Sequence, residues 1–357
     1  MIAMVLVLCG FGFTAGVLLL RSVPLCPASQ LPWSRRVSIV IPARDEEQNL
    51  PRLLASIHTI SGEPEVIVVD DGSEDATAIV AAQHGATVLP AAPLLRGWTG
   101  KTWAIAQGTN EASGELLLFL DADTWFLPQG LDRLISAWQQ YSRQRVAFSL
   151  LPFHVTQAPY EELSLFFNLL MAFGAGGFGR VGKSRLFGQC LLIPRELYQA
   201  CGGHAAVRDR ILENLAMADR IEAAGGQCVC LGGRGVLQIR MFPQGFLQLC
   251  ESWTKAFADG AAASDSVVLA LAIVWLSVLA SISLLVCIGP APMRPIAAAL
   301  YLLAATQVFW SARQIGSFRW TTALLYPVPL MFFFGLFTRS LLRRMFRRQV
   351  TWRGRQL

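Results

Sequence analysis

After Asp265 the chain holds no acidic residue, although ten arginines follow, at positions 294, 313, 319, 339, 343, 344, 347, 348, 353 and 355. The residues before that point carry 20 basic and 24 acidic side chains, so the formal net charge of +6 belongs to the C-terminal segment alone. A basic balance confined to the flanks of apolar runs argues against nucleic acid as a partner. It points instead to arginine anchoring on the cytoplasmic side of a membrane. Charge is scarce overall, at 15% of residues against 54% hydrophobic. That is too apolar for an ordinary soluble protein and too polar for a bundle of membrane helices alone. None of the 8 cysteines forms a C-x-x-C pair, and Cys228 and Cys230 lack zinc-ligand spacing. Reduced, mostly buried thiols in a cytosolic setting follow. Histidines 58, 84 and 154 have no metal-ligand partners at useful spacing, and no internal repeat or low-complexity tract occurs. No G-x-G-x-x-G follows the first apolar run, which disfavours an ordinary dinucleotide fold.

What is present alternates. Val37–Ile41 reads as a buried strand, Glu46–Ile60 has helical spacing, and Glu65–Val69 reads as a second strand. A helix over Asp75–His84, a short strand over Ala86–Leu89, a helix over Lys101–Ala112 and a strand over Leu116–Leu120 follow. This βαβαβ order implies a parallel sheet with right-handed crossovers. Ligands in such sheets bind beyond the C-terminal strand ends.

Each strand ends in a polar turn. Leu116–Leu120 stops at Asp121-Ala122-Asp123. In a strand, residues i and i+2 point one way, so both carboxylates can face one ligand. Two hard oxygen ligands then suit a divalent ion and the phosphates it carries. The first strand ends at Pro42-Ala43-Arg44-Asp45-Glu46-Glu47, and the second at Asp70-Asp71-Gly72-Ser73. Each has two readings, a ligand contact or the ordinary capping of the following helix. Gly97-Trp98-Thr99-Gly100-Lys101 opens a helix whose N-terminus and lysine favour an anion, although the glycine spacing is not that of a P-loop. Four such turns on one sheet edge describe a site for a nucleotide diphosphate with a metal, more specifically than any one of them.

Apolar segments lie at both ends. Residues 1–20 read as an uncleaved transmembrane helix with Arg21, Arg35 and Arg36 on its cytoplasmic side. Residues 160–178 could form an interfacial helix, a buried helix or a short span. Val267–Ile288 is long enough to span, Ile296–Trp310 is marginal, and Pro327 and Pro329 interrupt Thr321–Phe337. A cytosolic catalytic domain and an arginine-rich cytosolic tail demand an even number of crossings between them. Two spans with a re-entrant or interfacial middle segment satisfy that rule; three spans do not.

The quoted turns resemble the family 2 glycosyltransferases of the GT-A fold, over about residues 35–255. IPARDEE, VVDDGSEDAT, GWTGKTWA and FLDADT carry the resemblance. PFHVT, WTKAFADGAA and WRGRQ are similar to a narrower group, the membrane-bound carotenoid (4,4'-diaponeurosporenoate) glycosyltransferases, with hopanoid-associated relatives as neighbours. The resemblance implies an α/β fold, a Rossmann-like, mostly parallel sheet with helices on both faces, plus N-terminal and C-terminal transmembrane helices. It implies a helix and linker over 1–34, a catalytic domain over 35–260, and membrane segments with a basic tail over 261–357. By the same resemblance, Asp70 and Asp71 would hold the base and ribose of a UDP-sugar, with Ala43, Arg44 and Glu46 lining that pocket. Lys101 would contact base or diphosphate, Asp121 would lie by the ribose, and Asp123 would hold Mg2+ or Mn2+.

An inverting transfer to a hydroxyl needs a general base. The family places it in a Glu-Asp pair after a Gly-Gly turn. Here Gly202-Gly203-His204 is followed by Glu213-Asn214, so the acid of that position is an amide. Glu213 becomes the candidate base, with Asp209 and His204 behind it. An acceptor that is already a carboxylate would hardly need one. Arg240, Trp253 and Lys255 stand either in the active site or as interfacial anchors. The expectation is a multi-pass enzyme of the cell membrane with a cytoplasmic catalytic domain. It would transfer a hexose, glucose from UDP-glucose, to a lipophilic acceptor such as a carotenoid or apocarotenoid acid. The alternatives are a hopanoid or polyprenyl-phosphate sugar transferase, and a non-catalytic nucleotide-binding membrane protein.

Overall fold

A computed structural model describes residues 2–28, 31–57, 62–141, 145–176, 178–180, 183–210, 212–263, 265–345, 351–352 and 355–356. Of these, the side chains of 175–176, 255–263, 343–345, 351–352 and 355–356 are not described. The chain divides into two compact units. One is α/β and comprises residues 24–153 and 184–240; the other is helical and comprises 1–23, 154–183 and 241–357.

The α/β unit begins with β1 (Val37–Ala43), α1 (Leu50–Ile57), β2 (Glu65–Asp70), α2 (Thr77–Gln83), β3 (Thr87–Pro90), α3 (Gly100–Glu111) and β4 (Leu116–Leu120). It continues with β5 (Thr124–Phe126), α4 (Gly130–Gln140), β6 (Val146–Leu151), β7 (Cys190–Pro194), α5 (Arg195–Ala200), α6 (Glu213–Ala223), β8 (Gln227–Gly232) and β9 (Leu237–Ile239). Seven strands form one sheet in the order β3-β2-β1-β4-β7-β6-β8. The first four run parallel, as the alternation of strand and helix requires. β7 is antiparallel to both β4 and β6, and β8 returns parallel to β6. All five residues of β4 are buried, which is why it reads as an unbroken apolar run. Cores lie on both faces of the sheet. Ile39, Ile41, Leu118 and Leu120 pack with Leu53, Leu54 and Trp138 on one side. Val40, Leu117 and Phe119 pack with Ile105, Met217 and Ile221 on the other.

The helix expected over 46–60 is observed only from Leu50 to Ile57, and residues 58–60 lie outside the described chain. The late start has a local cause. The Glu46 and Glu47 N–H groups donate to Thr77 Oγ1 (2.8 Å) and Asp75 Oδ2 (3.1 Å), which holds this stretch in a turn. Likewise α2 starts two residues later than expected, because Asp75 Oδ1 accepts from the Thr77 N–H at 2.9 Å.

In the helical unit, Ile2–Leu19, Ser266–Ile288 and Ala291–Ile315 are long and apolar enough to cross a membrane. Asp265 caps the second, its carboxylate accepting from the Val267 N–H at 2.8 Å. Ile2–Leu19 approaches the second closely through small residues: a Cβ at Gly12 would stand 2.5 Å from Val278, and one at Gly16 would stand 2.7 Å from Trp275. The middle of the three C-terminal apolar stretches is therefore a full-length helix rather than the short segment expected there. The third is the broken one, split into Trp320–Leu324 and a helix starting at Pro327, whose apolar part is only Pro327–Leu342. Proline at a first helical position starts a helix but cannot continue one. Residues 165–176 form a helix, with Leu165, Phe166, Phe167 and Leu169 fully buried.

Where β1, β2 and β4 begin, one carboxylate ties the chain together. Glu65 Oε2 accepts from Ser38 Oγ (2.5 Å) and from the Ser113 N–H (2.7 Å), and Ser38 Oγ accepts from the Gly114 N–H (2.7 Å). Burial alone would raise the Glu65 pKa, but these donors and the Arg195 charge outweigh it and hold the carboxyl below its usual range. A depressed carboxyl stabilises the fold above its unfolded pKa of about 4.3, and that contribution is lost as pH falls through the folded value. Glu65→Ala is therefore expected to cost about 1–3 kcal/mol at pH 7. In thermal melts of detergent-purified protein, its deficit against wild type should shrink as the pH is lowered below about 4.

Candidate active site

β1 and β2 lie in parallel register with Ala43 beside Asp70, so their turns leave the sheet together. The turns are then sewn to each other. The Asp71 N–H donates to the Ala43 carbonyl at 2.8 Å, the Asp45 N–H to Ser73 Oγ at 3.0 Å, and the Glu74 N–H to Asp45 Oδ1 at 2.8 Å. Asp45 adopts a left-handed backbone (φ 55°) to do so. Asp70 closes its own turn, with Oδ1 accepting from both N–H and Oγ of Ser73. It closes this turn but does not cap α2, whose N-cap position is Ala76. Glu46 Oε2 accepts from Asn49 Nδ2 at 2.6 Å. Arg44 Nε is buried, stands 3.9 Å from Asp45 Oδ2 and makes no hydrogen bond among the described residues.

At the end of β4 the strand gives way to a turn, so alternation along a strand does not place the two aspartates. The Thr124 N–H and Oγ1 both donate to the Asp121 carbonyl, at 3.2 and 2.8 Å. The two carboxylates are nevertheless close enough to repel. Lys101 stands in the first turn of α3, which Thr99 caps. Its ammonium meets Asp121 Oδ1 at 2.7 Å, Glu213 Oε1 at 3.1 Å and the Gly188 carbonyl at 3.2 Å. An ammonium has three protons, and three acceptors take them here. Burial opposes the charge on Lys101, but Asp121 and Glu213 outweigh it and raise its pKa above the ordinary lysine value. The Glu213 side chain is only 9% exposed, whereas Lys101 and Asp121 keep 33% and 28%. The cluster therefore opens to solvent at its Lys101–Asp121 end.

Asp123 receives no such compensation. Its Oδ1 is buried and makes no hydrogen bond among the described residues. Burial, then the Asp121 and Glu46 charges, push its carboxyl up to about 8, against a weaker pull from Lys101. Asp121 is raised too, by burial first and then by Glu213 and Glu46, with Lys101 opposing. A buried oxygen with surplus negative charge around it fits a divalent cation. No group of three or more His, Cys, Asp or Glu side chains arranged for a metal occurs among the described residues, so the remaining ligands would have to come from elsewhere.

The structure brings Ala43, Arg44, Glu46, Asp70, Asp71, Lys101, Asp121, Asp123 and Glu213 to the turns and helix starts of one unit. It does not bring the two other base candidates forward. His204 is buried, its ring nitrogen 2.9 Å from Tyr198 Oη and its ring edge-on to Phe119. Burial, with Lys101 adding to it, drops its pKa to about 3. Asp209 is exposed and pairs with its neighbour Arg210 at 3.6 Å. Asn214 donates through Nδ2 to the Leu186 carbonyl. An aspartate there would set a carboxylate against that oxygen, so the amide has a structural reason. Arg240 follows β9, whose Ile239 pairs with Thr124. Trp253 belongs to the helical unit, stacked on Phe167 at 4.7 Å, and the Lys255 side chain lies outside those described. His154 anchors by its backbone, its carbonyl accepting from the Ser317 N–H at 2.8 Å.

Sequence reasoning missed Gly188. A Cβ there would stand 2.9 Å from Glu213 Oε1 and 3.4 Å from Lys101 Nζ, so only glycine leaves the ion pair undisturbed. The signal was a glycine directly before the apolar run of β7, which periodicity alone does not single out.

Residues 38–215 match the family model described as Glycosyl transferase family 2. The chain is 31% identical over 331 residues to 4,4'-diaponeurosporenoate glycosyltransferase of Staphylococcus aureus (strain USA300), covering 90% of this chain and 88% of the relative. Among solved structures, mannosyltransferase PcManGT from Pyrobaculum calidifontis, in complex with GDP-Man and Mn2+, superposes with a TM-score of 0.56. That match has 17% identity and covers 97% of this chain and 99% of the other, a likeness of fold.

A carboxyl pKa raised by the fold makes the charged form costly, so stability falls as pH rises from the unfolded value towards about 8. In chelator-treated protein, Asp123→Asn is expected to raise Tm by about 2–4 °C at pH 8 and by less at pH 5. Added Mn2+ should raise the wild-type Tm at pH 8 and leave the variant unmoved. Differential scanning calorimetry in detergent checks both.

Proposed function

We propose that this chain, which belongs to glycosyl transferase family 2, moves a hexose from UDP-glucose to a lipophilic acceptor at the cytoplasmic face of the cell membrane. The observation that carries this is the acidic cluster around Lys101, with the uncompensated Asp123 oxygen beside it. An isolated surplus of buried carboxylates is costly, and a nucleotide diphosphate carried by a divalent cation relieves it. Similarity over 90% of the chain to a 4,4'-diaponeurosporenoate glycosyltransferase supports an apocarotenoid acid or carotenoid as acceptor.

Asp123 would hold the cation, Mg2+ or Mn2+, with Asp121 and Glu46 adding negative charge around it. A cation so bound neutralises the leaving diphosphate. The chain's own residues do the rest. The joined turns at Ala43–Glu47 and Asp70–Asp75 form one rigid rim for the uridine, and the buried Arg44 Nε offers a donor there. Lys101 holds Asp121 and Glu213 side by side. Glu213, at the start of α6, accepts the proton of an attacking hydroxyl in a single inverting displacement; an acceptor carboxylate attacks without it. The Asn214 amide, the one feature favouring a non-catalytic relative, is accounted for by its bond to Leu186.

The membrane reading rests on the three long apolar helices. With Ser266–Ile288 and Arg294–Ile315 crossing and the shorter Pro327–Leu342 segment lying at the interface, two crossings follow the catalytic unit. The arginines from Arg339 onward then stay on the cytoplasmic side.

Incubating membranes with UDP-glucose and an apocarotenoid acid should give a glycosyl ester detectable by mass spectrometry. Asp123→Ala should lower kcat/KM by roughly 100-fold or more, by analogy with the loss of a single charge-stabilising group; unchanged turnover would refute the reading. Glu213→Gln should lower kcat about 100-fold or more with a carotenoid alcohol and change it little with the acid. Equal effects on both acceptors would refute the role given to Glu213.

A further inference from the structure

Three buried polar atoms in the α/β unit make no hydrogen bond among the described residues: Arg44 Nε, Asp123 Oδ1 and Gln189 Oε1. The first two are accounted for above; the third is not. Gln189 precedes β7. Its carbonyl accepts from the Asp121 N–H at 3.1 Å, which extends the antiparallel ladder one pair beyond Leu120 and Cys190. Gln189 and Asp121 are therefore cross-strand neighbours, and such neighbours share a face. On its other side is Gly188, whose carbonyl is bound by Lys101 and whose Cα abuts the Lys101–Glu213 pair.

A buried amide oxygen without a donor carries a desolvation penalty. The Lys101 cluster beside its backbone has no donor to spare. Asp121 and Glu213 are carboxylates, each already accepting from Lys101. Lys101 has all three protons engaged on Asp121, Glu213 and Gly188. A ligand that relieves it must bring an O–H or N–H. That requirement excludes phosphate oxygens and an ionised carboxylate. In a UDP-sugar it leaves the hydroxyls and the uracil N3–H, and Gly188 sets residue 189 next to Glu213, at the end of the site where transfer would occur.

We propose that Gln189 is a specificity-determining residue whose side-chain carbonyl accepts a hydrogen bond from one hydroxyl of the transferred hexose. This rests on the glycosyl-transfer reading above. A site built to pair with a substrate hydroxyl discriminates strongly against analogues lacking it, because its own polar group is then left buried and unpaired.

The test is a cycle of two proteins, wild type and Gln189→Leu, against UDP-glucose and its 3-, 4- and 6-deoxy analogues, with UDP affinity measured separately. Wild type should lose roughly 10- to 100-fold in kcat/KM with one deoxy sugar. Gln189→Leu should show that loss already with UDP-glucose and no further loss with the same deoxy sugar, while binding UDP as wild type does. Unchanged UDP binding also shows that the variant is folded; Gln189→Met serves as a second variant if the leucine protein does not purify. Losses that multiply for all three sugars overturn the assignment, as does wild-type activity in the variant. A variant weakened only in UDP affinity would place the contact on the ribose and equally overturn it. A wild-type protein that neither binds UDP nor turns over UDP-glucose would instead refute the glycosyl-transfer reading itself.

Discussion

Two carboxylates from distant parts of the chain, Asp121 and Glu213, meet on the ammonium of Lys101 at 2.7 and 3.1 Å, and the features of the site follow from that meeting. Lys101 sits in the first turn of α3, Asp121 at the end of β4 and Glu213 at the start of α6, so three elements are pinned by one charge. The same ammonium takes the Gly188 carbonyl, which draws the segment before β7 against the cluster, where a side chain would displace the Glu213 carboxylate. Once its three protons are spent, Asp123 and Gln189 are left with buried oxygens that no described residue satisfies. A site that neutralises part of its charge and leaves the rest open is preorganised for a ligand bearing both a cation and hydroxyls.

Much of this was legible in the residues. β1, β2 and β4 are apolar runs cut off by polar turns, and four such turns predicted a shared edge because parallel strands must end side by side. The partners within the edge were not legible. GWTGK suggested a helix start aimed at an anion, whereas Lys101 finds carboxylates of its own chain, and only the fold brings Glu213 to it. Asp70 carried two readings, and its bonds to Ser73 close a turn ahead of α2 without capping that helix. β6 and β7 went unread because a five- or six-residue apolar run has no period to separate strand from helix. Gly188 and Gln189 lie at the mouth of one of them. Their importance comes from cross-strand neighbours more than sixty residues away in the chain, which no local pattern encodes.

The apolar segments show a similar division. The arginines after Asp265 gave the side expected for the tail, since arginine and lysine dominate the signals of orientation. Which stretch is short was decided by proline: Pro327 starts a helix whose apolar stretch, Pro327–Leu342, is too short to count with the long ones, while Pro295, in the first turn of Arg294–Ile315, leaves that helix intact. Glu162 shows how the unit tolerates an acid among apolar segments. It is almost fully buried, and its two oxygens take Thr156 Oγ1 at 3.1 Å and Thr322 Oγ1 at 2.7 Å, with the Arg319 guanidinium 3.8 Å away. Buried charge is paired in the helical unit and left in surplus at the edge of the sheet. That contrast is what marks the second place as a site.

The most direct measurement of the account is UDP binding to the detergent-purified protein by isothermal titration calorimetry, with Mn2+ and with chelator. A cluster in which Lys101 is already engaged and Asp123 is uncompensated should repel the diphosphate on its own. UDP should therefore bind at least about tenfold more tightly with Mn2+, and Asp123→Ala should erase the difference. Equal affinity in chelator would contradict the account, because the surplus carboxylate charge would then have no cation to receive.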